Sequence, residues 1–185
     1  MKRSTGILAA VLFAVLLAAC SKQSLQNTYD RQTTFIESFV AAQMKADTNA
    51  TLRRIGGAYR LTLHDTLTIQ RTSLAEGGKV ALYYGCFTLT GASLTTGNLV
   101  ATNLKDLATQ AKWELTDSTR YKLDTLILGK DLVEGLQDGL KGVREYDEGY
   151  ILFTGKYGYG NSERGTIPAR SALAYYFWIE SIDNE

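Results

Sequence analysis

Proline, histidine and cysteine are all scarce in this chain. Its 185 residues contain one proline, Pro168, one histidine, His64, and two cysteines, Cys20 and Cys86. A single histidine leaves no recognisable metal-ligand spacing and no nucleophile–histidine–acid constellation, so neither a metal nor a cofactor is expected. Excess charge is also lacking. Twenty Lys and Arg stand against nineteen Asp and Glu, a formal net charge of +1, which argues against a nucleic-acid partner. Beyond residue 20 no run approaches the roughly 20 apolar residues that a membrane-spanning helix needs.

The first residues hold the one long apolar stretch. Met1, Lys2 and Arg3 give a positive start, and every residue from Ile7 to Ala19 is apolar. A charged start, a short apolar run and small residues at its end read as a secretory signal peptide over 1–19. Leu17-Ala18-Ala19-Cys20 resembles the bacterial lipobox, which implies cleavage before Cys20 and lipidation of its sulfur. The alternatives are an ordinary signal peptide with a chance cysteine, or a buried N-terminal helix. Several acyl chains anchor stably where one anchors only marginally, so the expected location is the bacterial cell envelope, lipid-anchored on the periplasmic or outer-membrane side. Cleavage would leave 18 basic and 19 acidic residues, a charge of −1. Lipidation would leave Cys86 without an intrachain disulfide partner, and its apolar surroundings mark it as a small core residue.

Ser21 to Thr34 is polar, with little to bury, and is expected to form a flexible stalk over 20–34. Phe35, Ile36, Phe39, Val40 and Met44 recur at helical spacing, predicting an amphipathic helix near 34–46 whose apolar stripe packs on the domain C-terminal to it, the alternative being a partner-binding helix. This helix and a first strand occupy 35–70, and the main domain 71–185. Gly56-Gly57 reads as a turn before an alternating strand at 58–63, and Gly77-Gly78 introduces a second strand at 80–89. Residues 90–120 read as a hairpin and a long polar loop. Further strands are expected at 121–128 and 150–154. In the last, Leu173, Tyr175, Phe177 and Ile179 share one face, opposite Tyr176 and Trp178. One helix interrupts the strands, with Asp131 as its N-cap, Glu134 three residues on and Leu132, Leu136, Leu140 and Val143 as its apolar stripe. Gly135, Gly139 and Gly142 line an adjacent stripe. Each costs about 1 kcal/mol in a helix interior, which close approach of the helix to a sheet would explain. The expected fold is α+β, an antiparallel sheet wrapped around one short helix, with an additional N-terminal helix.

That order of elements, with these residues, resembles the FKBP family of peptidyl-prolyl isomerases over roughly residues 77–182. Leu128-Gly129-Lys130 and Gly135-Leu136-Gln137-Asp138-Gly139-Leu140 resemble the family's strand end and pocket helix. Tyr157-Gly158-Tyr159-Gly160, Gly165-Thr166-Ile167-Pro168 and Ala172-Leu173-Ala174-Tyr175 resemble its aromatic-glycine loop, Ile-Pro segment and closing strand. Val80-Ala81-Leu82-Tyr83-Tyr84-Gly85 is similar to the first core strand, which puts Tyr83 in the place of the pocket tyrosine. The departures are Val100 and Ala101 where the family has a Phe-Asp pair, Leu136 in place of a tryptophan, and Asp124 at another aromatic wall.

The resemblance implies a proline-binding pocket with Tyr159 and Tyr83 as the catalytic residues and Val133, Leu136, Ile167 and Tyr175 as substrate-binding walls. Tyr159 would hydrogen-bond a peptide carbonyl. The simpler reading of each residue taken singly is that it is core. The resemblance leaves two functions as expectations: a membrane-tethered isomerase of weak activity acting on X–Pro bonds of exported polypeptides, or a non-catalytic envelope binding or assembly module that keeps the fold. A polysaccharide binder has only the many tyrosines in its favour.

Overall fold

The computed structural model describes residues 3–64 and 69–185, with side chains from residue 23 onward except that of residue 118. The lipidation expected at Cys20 and the signal peptide expected over 1–19 therefore fall outside the described side chains. The chain divides into two units, 1–31 and 32–185.

Helix α1 runs Arg3–Ala46. It includes Ser21 to Thr34, so the coil expected there is corrected to helix. The physical reason lies in local pairs. Gln23 and Gln26 donate to Asn27 and Asp30 four residues on, and the Thr28 hydroxyl donates to the Ser24 carbonyl, so a polar helix is held by i,i+4 bonds rather than by an apolar face.

In the second unit, seven strands form one antiparallel sheet. They are β1 (Thr51–Ile55), β2 (Ala58–Leu63), β3 (Lys79–Thr88), β4 (Leu99–Thr102), β5 (Asp124–Ile127), β6 (Glu148–Phe153) and β7 (Leu173–Asp183). The spatial order is β1-β2-β6-β7-β3-β4. β5 shares the outer edge of β3 with β4: it pairs with Lys79 to Leu82, and β4 pairs with Gly85 to Phe87. The α+β expectation holds. The strand expected at 121–128 is shorter, the hairpin expected within 90–120 is formed by β4 returning along β3, and β1 and the short helix α2 (Lys105–Gln110) were not expected.

Helix α3 (Glu134–Leu140) lies on the inner face of the sheet. Gly135 and Gly139 are why it can. A Cβ on the first would overlap the Phe153 ring, and one on the second the Ile151 side chain. Two parts of the expected helix change. Asp131 is not its cap: it lies at φ 55°, and the N-cap is Val133, which makes no side-chain cap bond. Gly142 lies past the helix end at φ 70°, a left-handed turn that glycine adopts without steric cost. On the other face, Ile36, Phe39 and Val40 of α1 are buried against Leu61, Leu152 and Ala174. The expected stripe therefore packs as read, except that Met44 is exposed.

Candidate functional site

Between α3 and the inner sheet face lies a cavity of about 250 Å³. Leu136 and Leu140 of α3, with Val133 before it, form one side; Tyr84, Cys86, Tyr175 and Phe177 of β3 and β7 form the other. The strand register explains the second set. Tyr84 pairs with Phe177 and Cys86 with Tyr175, and directly opposed residues of an antiparallel pair project to the same face. The Tyr84 and Tyr175 rings lie 6.2 Å apart, and Phe153 stacks on Tyr175 from 6.0 Å.

The loop between β6 and β7 closes the cavity with Tyr159 and Ile167. Arg164 and Ile167 bond each other's backbones across a tight turn at 3.0 and 2.9 Å; Gly165 within it takes φ 57°. Ile167 also precedes Pro168, which keeps it extended. The loop's two ends are tied by Gln32. Its Oε1 accepts from the Gly155 N–H at 2.9 Å, and its Nε2 donates to the Arg170 carbonyl at 2.6 Å. Only 8% of Gln32 is exposed. Its polarity, within a segment read as stalk, gave no sign of this.

Five of the six predicted site residues line the cavity: Val133, Leu136, Tyr159, Ile167 and Tyr175. Tyr83 does not. It pairs with Trp178 on the outer face, and Tyr84 takes the inward place. The resemblance placed the tyrosine one residue early, and in a period-two strand a slip of one reverses the face. Tyr84 is held by groups that sequence reasoning missed. Its N–H donates to Asn103 Oδ1 at 2.7 Å, and its carbonyl accepts from the Thr102 hydroxyl at 2.6 Å. Asn103 Nδ2 also donates to the Leu82 and Lys122 carbonyls, both at 3.0 Å.

Ala101, at the second position of the expected Phe-Asp pair, lines the cavity opposite Cys86. The carboxylates at the cavity are instead Asp124, at the start of β5, and Asp131, both exposed. Burial, then the negative Asp124, raises the Tyr84 hydroxyl above its ordinary pKa. Burial raises Tyr175 strongly, with the Cys86 thiol beside it. Cys86 itself is pushed up to about 12 by burial, against the opposing effect of its hydrogen bond with Tyr175. At neutral pH these three groups are uncharged, so the wall is apolar yet supplies hydroxyl donors. It can enclose an apolar ring and hydrogen-bond an adjacent carbonyl. Cys86, buried and free, fits the expected core role.

In sequence, no protein-family model and no curated protein matches the chain. Among solved structures, it is similar to the three FKBP domains of wheat FKBP73, at 14% identity and TM-score 0.53, covering 72% of this chain and 50% of that one. It is similar also to FkpA from Escherichia coli, at 10% identity and TM-score 0.56, covering 99% of this chain and 74% of that one. The N-terminal domain of FKBP42 from Arabidopsis thaliana matches at 13% identity and TM-score 0.51, covering 72% of this chain and 93% of that domain. The fold is FKBP-like. The FKBP-like chain spans half the length of the wheat protein.

Proposed function

We propose that this chain is a peptidyl-prolyl cis-trans isomerase of weak activity, held to a membrane of the bacterial envelope by lipid on Cys20 and acting on X–Pro bonds of exported polypeptides. The observation that carries the enzymatic part is the cavity itself. Aliphatic side chains on one wall, Tyr84 and Tyr175 on the other and Tyr159 from the closing loop converge on a volume suited to a proline ring.

Rotation about an X–Pro bond is slow, taking tens to hundreds of seconds, because amide resonance sets a barrier of about 18–20 kcal/mol. An apolar wall disfavours the charge-separated resonance form and so weakens the double-bond character. The Tyr159 hydroxyl would hold a flanking peptide carbonyl while the bond turns. Each ~1.4 kcal/mol removed from the barrier speeds turnover tenfold. The step needs no nucleophile and no proton transfer.

The test is cis/trans exchange of an Ala-Pro-Phe peptide followed by NMR with the full chain. Acceleration proportional to protein concentration is expected, and none from folded protein ends the isomerase reading. For the tether, radiolabelled palmitate should enter the protein and be lost in Cys20→Ser; label retained in that variant removes Cys20 as the anchor.

A second reading, a non-catalytic envelope binding or assembly module, is favoured by two wall positions. Leu136 and Ala101 are both non-aromatic at the cavity, which leaves a smoother groove than a tryptophan and a Phe-Asp pair would. This module would form a stable complex with an envelope protein that survives Tyr159→Phe.

A further inference from the structure

A cavity of about 350 Å³ lies on the outer face of the sheet, away from the proline-sized one. Its aromatic part follows from the strand register. Tyr150 pairs with Tyr176 across β6 and β7, and Phe87 lies two residues along β3 from Gly85, the partner of Tyr176. All three therefore project to one face. Gly85 makes the space for α2 beside them, since a Cβ there would overlap the Leu107 side chain. Phe87 is buried and the two tyrosines half-buried, whereas Asp106 and Gln110 of α2 are exposed at the rim.

The charge around this cavity has one sign. Asp106 is the charged residue of its lining, with no lysine, arginine or histidine among the described residues there. Asp106 forms no ion pair with any described residue. A second carboxylate stands behind the rings: Glu148 Oε1 accepts the Tyr176 hydroxyl at 2.8 Å. Burial, and then Glu148, raise the Tyr150 and Tyr176 hydroxyls above their ordinary value, so both stay neutral beside a negative neighbour. Packing accounts for part of the cluster. Tyr150 meets Phe39 of α1 edge-on at 5.0 Å and Tyr176 at 5.6 Å. It does not account for an open cavity over these rings with an unpaired carboxylate at its rim.

We propose that this cavity binds a quaternary ammonium cation, seated against Tyr150 and Tyr176 with Asp106 as its counter-charge. The negative face of an aromatic ring attracts a cation. A quaternary ammonium has no N–H to satisfy, so it exchanges water for ring and leucine carbons more readily than a lysine-type ammonium, which is compact and strongly hydrated. The two carboxylates repel the phosphate of a zwitterionic lipid headgroup. The occupant is therefore a free small molecule of the choline type.

The test is calorimetric titration of the full chain with choline at fixed ionic strength. Saturable binding at one cation per chain is expected, with 3,3-dimethylbutanol, the uncharged isostere, and phosphocholine each weaker by about tenfold or more. Asp106→Asn, at an exposed position, should fold normally and weaken choline binding by a similar factor. A carboxylate in the first turn of α2 also suits the helix dipole, a role that choline affinity does not report. Absence of saturable binding, parity of either comparator with choline, or equal affinity in Asp106→Asn would each overturn the proposal. Choline binding lost in Asp124→Asn but kept in Asp106→Asn would overturn it too, by placing the cation in the proline-sized cavity.

Discussion

Among the described residues, two cavities of about 250 Å³ lie on the same sheet face and share no lining residue. One sits against α3 and the residue before it, walled by leucines and tyrosines; the other sits past the end of α3, walled by arginines and threonines. Desolvation acts on both in the same sense. It raises Tyr84 and Tyr175 and lowers Arg60, each time disfavouring the charged form. The consequence differs. A tyrosine kept neutral is at ease in its wall, whereas an arginine remains a cation, held by the Gly139 and Lys141 carbonyls and attracted by Asp147. Equal volumes can thus carry opposite lining chemistry.

Truncation of Leu140 should break the comparison most strongly. The side chain is fully buried, borders the apolar cavity and closes α3. Leu140→Ala should lower the free energy of unfolding in urea by about 2–5 kcal/mol.

Gln32→Ala comes next. It leaves the Gly155 N–H without its acceptor and the Arg170 carbonyl without its side-chain donor, at a cost of about 1–3 kcal/mol. Hydrogen exchange should quicken across residues 155–170 while β1 and β2 keep their protection; equal loosening of both regions would show that Gln32 serves the whole unit. Tyr159→Phe keeps the ring and removes the hydroxyl. It should reduce kcat/KM for the X–Pro peptide by about tenfold, equivalent to ~1.4 kcal/mol, and an unchanged value would take the hydroxyl out of turnover.

The smallest effect concerns Asp138, which anchors α3 to the β1–β2 turn. Burial pushes its carboxyl up, but the Gly57 N–H at 3.0 Å and Lys141 Nζ at 2.9 Å outweigh it and hold it below the ordinary value. A carboxyl depressed in the folded state stabilises it above the unfolded value of about 3.9, and that contribution is lost as pH falls through the lower folded value. Thermal midpoints measured from pH 7 downward should therefore fall more steeply in the wild type than in Asp138→Asn. Parallel curves would place the acid sensitivity elsewhere.

How far the residues announced this architecture depends on which periodicity carried each signal. The β7 alternation was legible because one face is almost wholly apolar, and the α1 stripe because Ile36, Phe39 and Val40 keep helical spacing. Gly135 and Gly139 signalled close packing and were placed correctly, while Gly142 shares their spacing but serves a turn, a difference of backbone angle that spacing does not encode. Tyr83 and Tyr84 are adjacent and chemically identical, so composition could not choose between their faces; the pairing with Phe177 does. Arg60 looked like an ordinary polar position in an alternating strand. Its burial arises from partners some 80 residues away in sequence, at the end of α3. Gln32 escaped notice for the same reason: its partners Gly155 and Arg170 lie more than 120 residues away.

Where β4 and β5 stop short of each other along β3, the carboxamide of Asn103 takes over, receiving the Tyr84 N–H and donating to Leu82. A side chain here stands in for a missing peptide group, and the seam depends on one nitrogen that donates twice. Conversion of that amide to an acid, a one-atom change that proteins undergo on ageing, would turn the donor into an acceptor facing the Leu82 and Lys122 carbonyls. That change would leave the Leu82 and Lys122 carbonyls without this donor, at a cost of about 1–3 kcal/mol, and would loosen the outer edge of β3 while its pairing with β7 holds.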